Sequence, residues 1–115
     1  MKIRIYHNPA CGTSRTVLGM LREKGIEPDI IEYLKTPPAR ADMQKLLKDM
    51  GLQPRDILRR RGTPYEELGL DNPTLSDADI LDALGCHPIL MERPVVVTEK
   101  GTRICRPAER LNDLL

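Results

Sequence analysis

The chain has 115 residues, 40% of them hydrophobic and 30% charged, with a formal net charge of +1. That length fits one domain, residues 1–115, with a core of useful size, and the balance is that of an ordinary soluble protein. A total so near neutrality argues against a general nucleic-acid binder, since it implies no strongly basic face. The longest apolar runs, Ile89-Leu90-Met91 and Val95-Val96-Val97, are far too short to span a bilayer.

Residues 2–6 alternate and are rich in strand formers, which predicts a first strand. The start turns polar too soon for a signal peptide. A loop from His7 to Thr13 follows, then a helix from about Ser14, a good N-cap, with Val17, Leu18 and Leu21 as its apolar face and Gly25 as its end. Asp29–Tyr33 reads as a second strand. After Thr36-Pro37-Pro38, a second helix carries Met43, Leu46, Leu47 and Met50 at core spacing and stops at Gly51.

Pro54–Leu58 suits a short helix. Ser76 with Asp79 forms a capping-box start for a helix through Ile80, Leu81 and Leu84 to Gly85. Ile89-Leu90-Met91 and Val95–Thr98 read as strand material. Lys100-Gly101 signals a turn, making Val95–Thr98 and Thr102–Cys105 a hairpin. Pro107 suits the first turn of a last helix carrying Leu111, Leu114 and Leu115. The order β-α-β, a helical segment, then β-β-α is the thioredoxin-like pattern. The fold class is therefore α/β, a small mixed sheet flanked by helices with a helical insertion in the middle of the chain. With no phenylalanine or tryptophan, its core falls to Leu, Ile, Val and Met.

Three cysteines without a repeating spacing argue against a disulfide framework and suit a reducing cytoplasm. Cys11 sits between a strand end and a helix N-terminus, in His7-Asn8-Pro9-Ala10-Cys11-Gly12-Thr13-Ser14-Arg15. Unpaired backbone N–H groups and the helix dipole favour an anion there, so the thiol is drawn toward the reactive thiolate. Arg15, and His7 if protonated, would push the same way. The motif is C-x-x-S: Ser14 stands where a thioredoxin carries its resolving sulfur, so an external thiol must finish any redox cycle. Val17 stands where a phosphatase C-x5-R loop needs arginine, which excludes that cradle. No metal-ligand spacing is present, and no bound cofactor is expected. Cys86 reads as a helix-end packing residue and Cys105 as a buried structural one.

Arg59, Arg93 and Arg106 each lie at the edge of a predicted element. A planar, permanently charged fork is the right tool for a tetrahedral oxyanion, although spacing alone does not say which of the three points inward. Arg93-Pro94 is placed where thioredoxin-like folds carry a cis-proline beside the nucleophile loop.

The chain resembles the single-cysteine, glutaredoxin- and glutathione-linked arsenate reductases of the ArsC type. The matching stretches are Ile5–Arg15, Tyr33-Leu34, Pro37-Pro38, Leu58-Arg59, Pro64–Leu70, His87–Leu90, Arg93–Thr98 and Gly101–Pro107. The resemblance implies that Cys11 is the nucleophile and that His7 helps keep it ionised. It further implies that Arg59, Arg93 and Arg106 bind the arsenic oxyanion, with Asn8, Gly12, Thr13, Ser14, Arg15 and Pro94 as the supporting loop. Arsenate as substrate, glutathione as co-substrate and glutaredoxin as protein partner follow, with a cytoplasmic location and no nucleic acid or membrane involved. Longer members continue past the position of Leu115, a segment that would bear on dimerisation or partner docking. Two other readings are a glutathione-dependent thiol reductase of the same fold with a different substrate, and a Spx-like regulatory protein. The arginine trio speaks against the first, and Ser14, which breaks the C-x-x-C switch, against the second.

Overall fold

The computed structural model describes residues 2–115, and the chain divides into two compact units, one formed by the stretch up to Thr36 with Arg93–Leu115 and the other by Pro37–Glu92. The first unit holds the sheet. Strands β1 (Arg4–His7), β2 (Asp29–Glu32), β3 (Val95–Thr98) and β4 (Gly101–Ile104) lie in the order β2-β1-β3-β4. β1 pairs parallel with β2 and antiparallel with β3, and β3 pairs antiparallel with β4, so the sheet is mixed as expected. The register sets Ile5 beside both Ile30 and Val96.

Helix α1 (Gly12–Glu23) buries Ser14, Val17, Leu18 and Leu21, a stripe at i, i+3, i+4 and i+7. Val17, Leu18 and Leu21 pack in one cluster with Ile3, Ile5, Val96, Cys105, Leu111 and Leu114. Each fully buried Leu or Val side chain there contributes about 1.5–3 kcal/mol of transfer free energy. The C-terminal segment Ala108–Leu114 is a 3-10 helix, with Pro107 at its N-cap position rather than in its first turn. It is tied to the hairpin by the buried Thr98 hydroxyl, which donates to the Leu114 carbonyl at 2.9 Å.

Two boundaries in this unit differ from the sequence expectation. α1 starts at Gly12, with Cys11 as its N-cap. Ser14 already belongs to the buried stripe, so its side chain turns inward instead of capping. The hairpin loop is Glu99-Lys100, because Gly101 pairs with Thr98 inside β4. Gly101 has φ +146°, a conformation that a side chain would resist.

The second unit is the expected mid-chain helical insertion. Its elements are α2 (Arg40–Met50), a 3-10 turn at Pro54–Ile57, α3 (Asp77–Cys86) and a 3-10 turn at Pro88–Leu90. α2 buries Met43, Leu46 and Leu47 and ends on Gly51 in the left-handed region at φ +69°. α3 opens with the anticipated box: Asp79 N–H donates to Ser76 Oγ at 3.1 Å and Ser76 N–H to Asp79 Oδ2 at 2.9 Å. Ile89-Leu90-Met91 is not a strand. A proline at the first position closes a 3-10 turn, leaving only an isolated bridge between Met91 and Leu58. No helix of the described residues is long and apolar enough to cross a membrane.

Candidate active site

The end of β1 delivers His7 and the start of α1 delivers Cys11. The loop between them is held by its own hydrogen bonds. The Asn8 side-chain oxygen accepts from Ala10 N–H at 2.9 Å, and the Asn8 carbonyl accepts from Cys11 N–H at 3.0 Å. Arg15 Nη1 donates to the Pro9 carbonyl at 2.9 Å. Ser14, fully buried, receives Asn8 N–H on its Oγ at 3.1 Å and shares a 2.6 Å hydrogen bond with His7 Nδ1. Three segments of the loop are thus tied to one helix turn, which fixes the Cys11 backbone.

Arg106 Nη1 lies 3.7 Å from Cys11 Sγ and 3.3 Å from the Arg93 carbonyl oxygen. The buried Arg93 side chain also donates toward the sulfur. Burial by itself pushes the half-buried Cys11 thiol up. The Ser14 backbone N–H in the first helical turn and the guanidiniums of Arg106 and Arg93 outweigh it, so the thiol lies below its ordinary value. The expected activated thiol is present, and two of the three candidate arginines stand beside it.

His7 behaves differently from the conditional expectation. Burial lowers the imidazole below its ordinary value, with Arg22 and Arg15 adding to the effect and Glu32 partly opposing it. At neutral pH the ring is uncharged, and its side-chain hydrogen bond goes to Ser14 rather than to the thiol. Arg59 belongs to the second unit. There its Nη1 pairs with Glu92 Oε1 at 2.9 Å, its Nε donates to the Arg61 carbonyl, and its own N–H donates to the Leu90 carbonyl at 2.7 Å.

The Arg93-Pro94 peptide is cis, as expected, and the buried Pro94 offers its carbonyl to Cys105 N–H at 2.9 Å. A second cis peptide, Arg106-Pro107, had no sequence signal that set it apart from the other X-Pro bonds. Gly12 is exposed and Thr13 half-buried, on the open side of the loop. All three cysteines are free. Cys105 is fully buried, as anticipated, and burial pushes its thiol up to about 11. Cys86 is not a packing residue: the last residue of α3, it is exposed, because the buried stripe of that helix ends at Leu84. No group of three or more His, Cys, Asp or Glu among the described residues could hold a metal ion.

A thiolate beside two guanidiniums can attack the central atom of a tetrahedral oxyanion while its charge is neutralised. Known proteins of similar sequence and structure identify the family. The arsenate reductase of Rhizobium meliloti (strain 1021) is 53% identical over 115 residues, covering all of this chain and 82% of that protein. The arsenate reductase of Escherichia coli (strain K12) is 53% identical over 113 residues, covering 98% of this chain and 80% of that one. In three dimensions the arsenate reductase from Vibrio cholerae superposes with a TM-score of 0.95 at 39% identity, over all of this chain and 98% of its own. The ArsC family model matches residues 6–114, and the chain belongs to the ArsC family.

Proposed function

We propose that this chain is an arsenate reductase that works with glutathione and glutaredoxin in the cytoplasm. The observation that carries the reading is the Arg106 guanidinium 3.7 Å from Cys11 Sγ, with Arg93 donating to the same sulfur. The Cys11 thiolate attacks the arsenic of arsenate, an As–S bond forms, and one oxygen leaves as water after protonation. Arg93 and Arg106 hold the remaining oxygens. The resemblance gives Arg59 the same task.

Glutathione then attacks the arsenic of this adduct, releasing a second water. A glutaredoxin thiolate attacks the glutathione sulfur. Two electrons pass to arsenic, a glutathione–glutaredoxin disulfide leaves, and water releases arsenite from Cys11. External thiols are required because Ser14 offers no second sulfur. His7 serves as a positioning residue: neutral, it orients the Ser14 hydroxyl that anchors the loop. Three free cysteines support a reducing compartment.

The test is a coupled assay with arsenate, glutathione and glutaredoxin, following arsenite. Wild type should produce it, Cys11→Ser should produce none, and Arg93→Ala and Arg106→Ala should raise KM for arsenate and lower kcat/KM by about 10²-fold. Absence of arsenite from the wild type overturns the arsenate reading and favours a thiol reductase with another substrate.

A further inference from the structure

Both the main chain and the side chain of Arg59 are fastened within the second unit. Leu58 and Met91 form an antiparallel bridge, flanked by hydrogen bonds from Arg59 N–H to the Leu90 carbonyl at 2.7 Å and from Glu92 N–H to the Ile57 carbonyl at 2.8 Å. The two bridge residues are extended, so side chains alternate across both segments. Met91 is buried in the core at 1% exposure, which turns its neighbour Glu92 the other way. Arg59, next to Leu58, obeys the same alternation and meets Glu92 on that face.

The Arg59–Glu92 ion pair differs from the others among the described residues. Its side chains are 17% and 23% exposed, whereas every partner in the other pairs is at least 38% exposed. Solvent screens an exposed pair and lets it wander; a largely covered pair holds its geometry. Nη1 is committed to Glu92 Oε1 at 2.9 Å and Nε to the Arg61 carbonyl at 3.0 Å. The Thr63 hydroxyl donates to the Arg59 carbonyl at 2.6 Å, which closes the turn that carries Arg61. The guanidinium plane is thus fixed through two of its three nitrogens. Nη2 is the nitrogen with no protein partner among the described residues.

We propose that Glu92 is a positioning residue for the reaction: its carboxylate sets the Arg59 fork in advance, leaving Nη2 for an oxygen of the oxyanion. The inference rests on the reading that Arg59 helps to hold arsenate, and it adds the residue that makes this arginine a pre-set donor. Glu92 also precedes Arg93 in the chain, so one dipeptide supplies the holder of Arg59 and a donor to Cys11 Sγ. The same contact admits an opposite role, in which the carboxylate withholds Arg59 from the anion. The two roles differ in sign.

The test measures kcat and KM for arsenate, with glutathione and glutaredoxin, in wild type, Glu92→Ala, Glu92→Gln and Arg59→Ala. Glu92→Ala should raise KM about two- to twelvefold, the cost of ordering one long side chain on binding. Its kcat should change less than about twofold, because that cost is met when the anion binds. Glu92→Gln keeps an oxygen for Nη1 and should stay within about twofold of the wild-type KM. Combined with Arg59→Ala, Glu92→Ala should add nothing, since no fork is left to hold.

A lower KM in both Glu92 variants would mean that the carboxylate withholds Arg59, and it overturns the proposal. So does a fall in Tm for Glu92→Ala at unchanged KM, the mark of a purely structural pair. A wild type that makes no arsenite, or Arg59→Ala with a wild-type KM, overturns the reading beneath the inference and the inference with it. A raised KM in Arg59→Ala but not in Glu92→Ala overturns the inference alone.

Discussion

Ser14→Ala removes one oxygen and strips two buried groups of their partner. Ser14 is 0% exposed, His7 6% and Asn8 4%, so water does not readily replace the lost hydroxyl. His7 Nδ1 and Asn8 N–H each lose a bond, of 2.6 Å and 3.1 Å. Leaving a buried polar group unsatisfied costs about 1–3 kcal/mol, and the better helix propensity of alanine offsets about 0.5 kcal/mol of the total. The net loss is about 1.5–5.5 kcal/mol. For 115 residues each kcal/mol lowers Tm by about 4 °C, so thermal unfolding followed by circular dichroism should shift down by about 6–22 °C. Thr16→Ala is the control: its hydroxyl donates only to the Gly12 carbonyl on the exposed helix face, and its loss should cost under about 0.5 kcal/mol. Equal shifts for the two variants would refute the claim that the buried hydroxyl anchors the loop.

Arg106→Ala and Arg93→Ala should each move the pH midpoint of Cys11 alkylation by iodoacetamide upward, because each removes a group that favours the thiolate. An unchanged midpoint in both arginine variants would sink the electrostatic account. The sign carries over to stability. A thiol depressed in the native state contributes stability that is fully present above its unfolded pKa, about 8.5, and that is lost as pH falls through the native value. Wild-type unfolding free energy should therefore rise with pH across that window, and Cys11→Ser should flatten the slope. An aromatic disulfide reagent should label exposed Cys86 at once and Cys105 only on unfolding, and Cys86→Ser should leave turnover intact; lost turnover would reveal a second working thiol.

Much of this arrangement was legible in the sequence because it rests on local signals. Ser76 and Asp79 specify a helix start at three-residue spacing, and the α1 stripe of Val17, Leu18 and Leu21 names its buried face. What was misread depended on which of two local rules wins. Ser14 is a good N-cap by type, yet it also continues the stripe one turn back. Burial on that face outweighed capping, and the N-cap role fell to Cys11. Ile89-Leu90-Met91 has strand composition, but Pro88 ahead of it favours a 3-10 turn. Cys86 lies two residues past Leu84, off the buried face, and a helical projection would have placed it in solvent. The approach of Arg106 to Cys11 joins residues 95 positions apart, a distance over which periodicity says nothing. The family resemblance, not the spacing, singled it out.

The serine in the C-x-x-S motif then has a physical reason beyond the absence of a sulfur. A resolving thiol must be able to reach the nucleophile and leave its own environment to do so. Position 14 instead holds a hydroxyl locked between His7 Nδ1 and Asn8 N–H, at the centre of the contacts that fix the loop. A cysteine there would exchange those bonds for weak sulfur ones and loosen the element that holds Cys11 beside Arg106. On the proposed reading, rigidity at Ser14 and dependence on an external thiol are two consequences of one choice: the loop keeps its nucleophile aimed at an oxyanion, and the second half of the chemistry is left to a molecule that diffuses in.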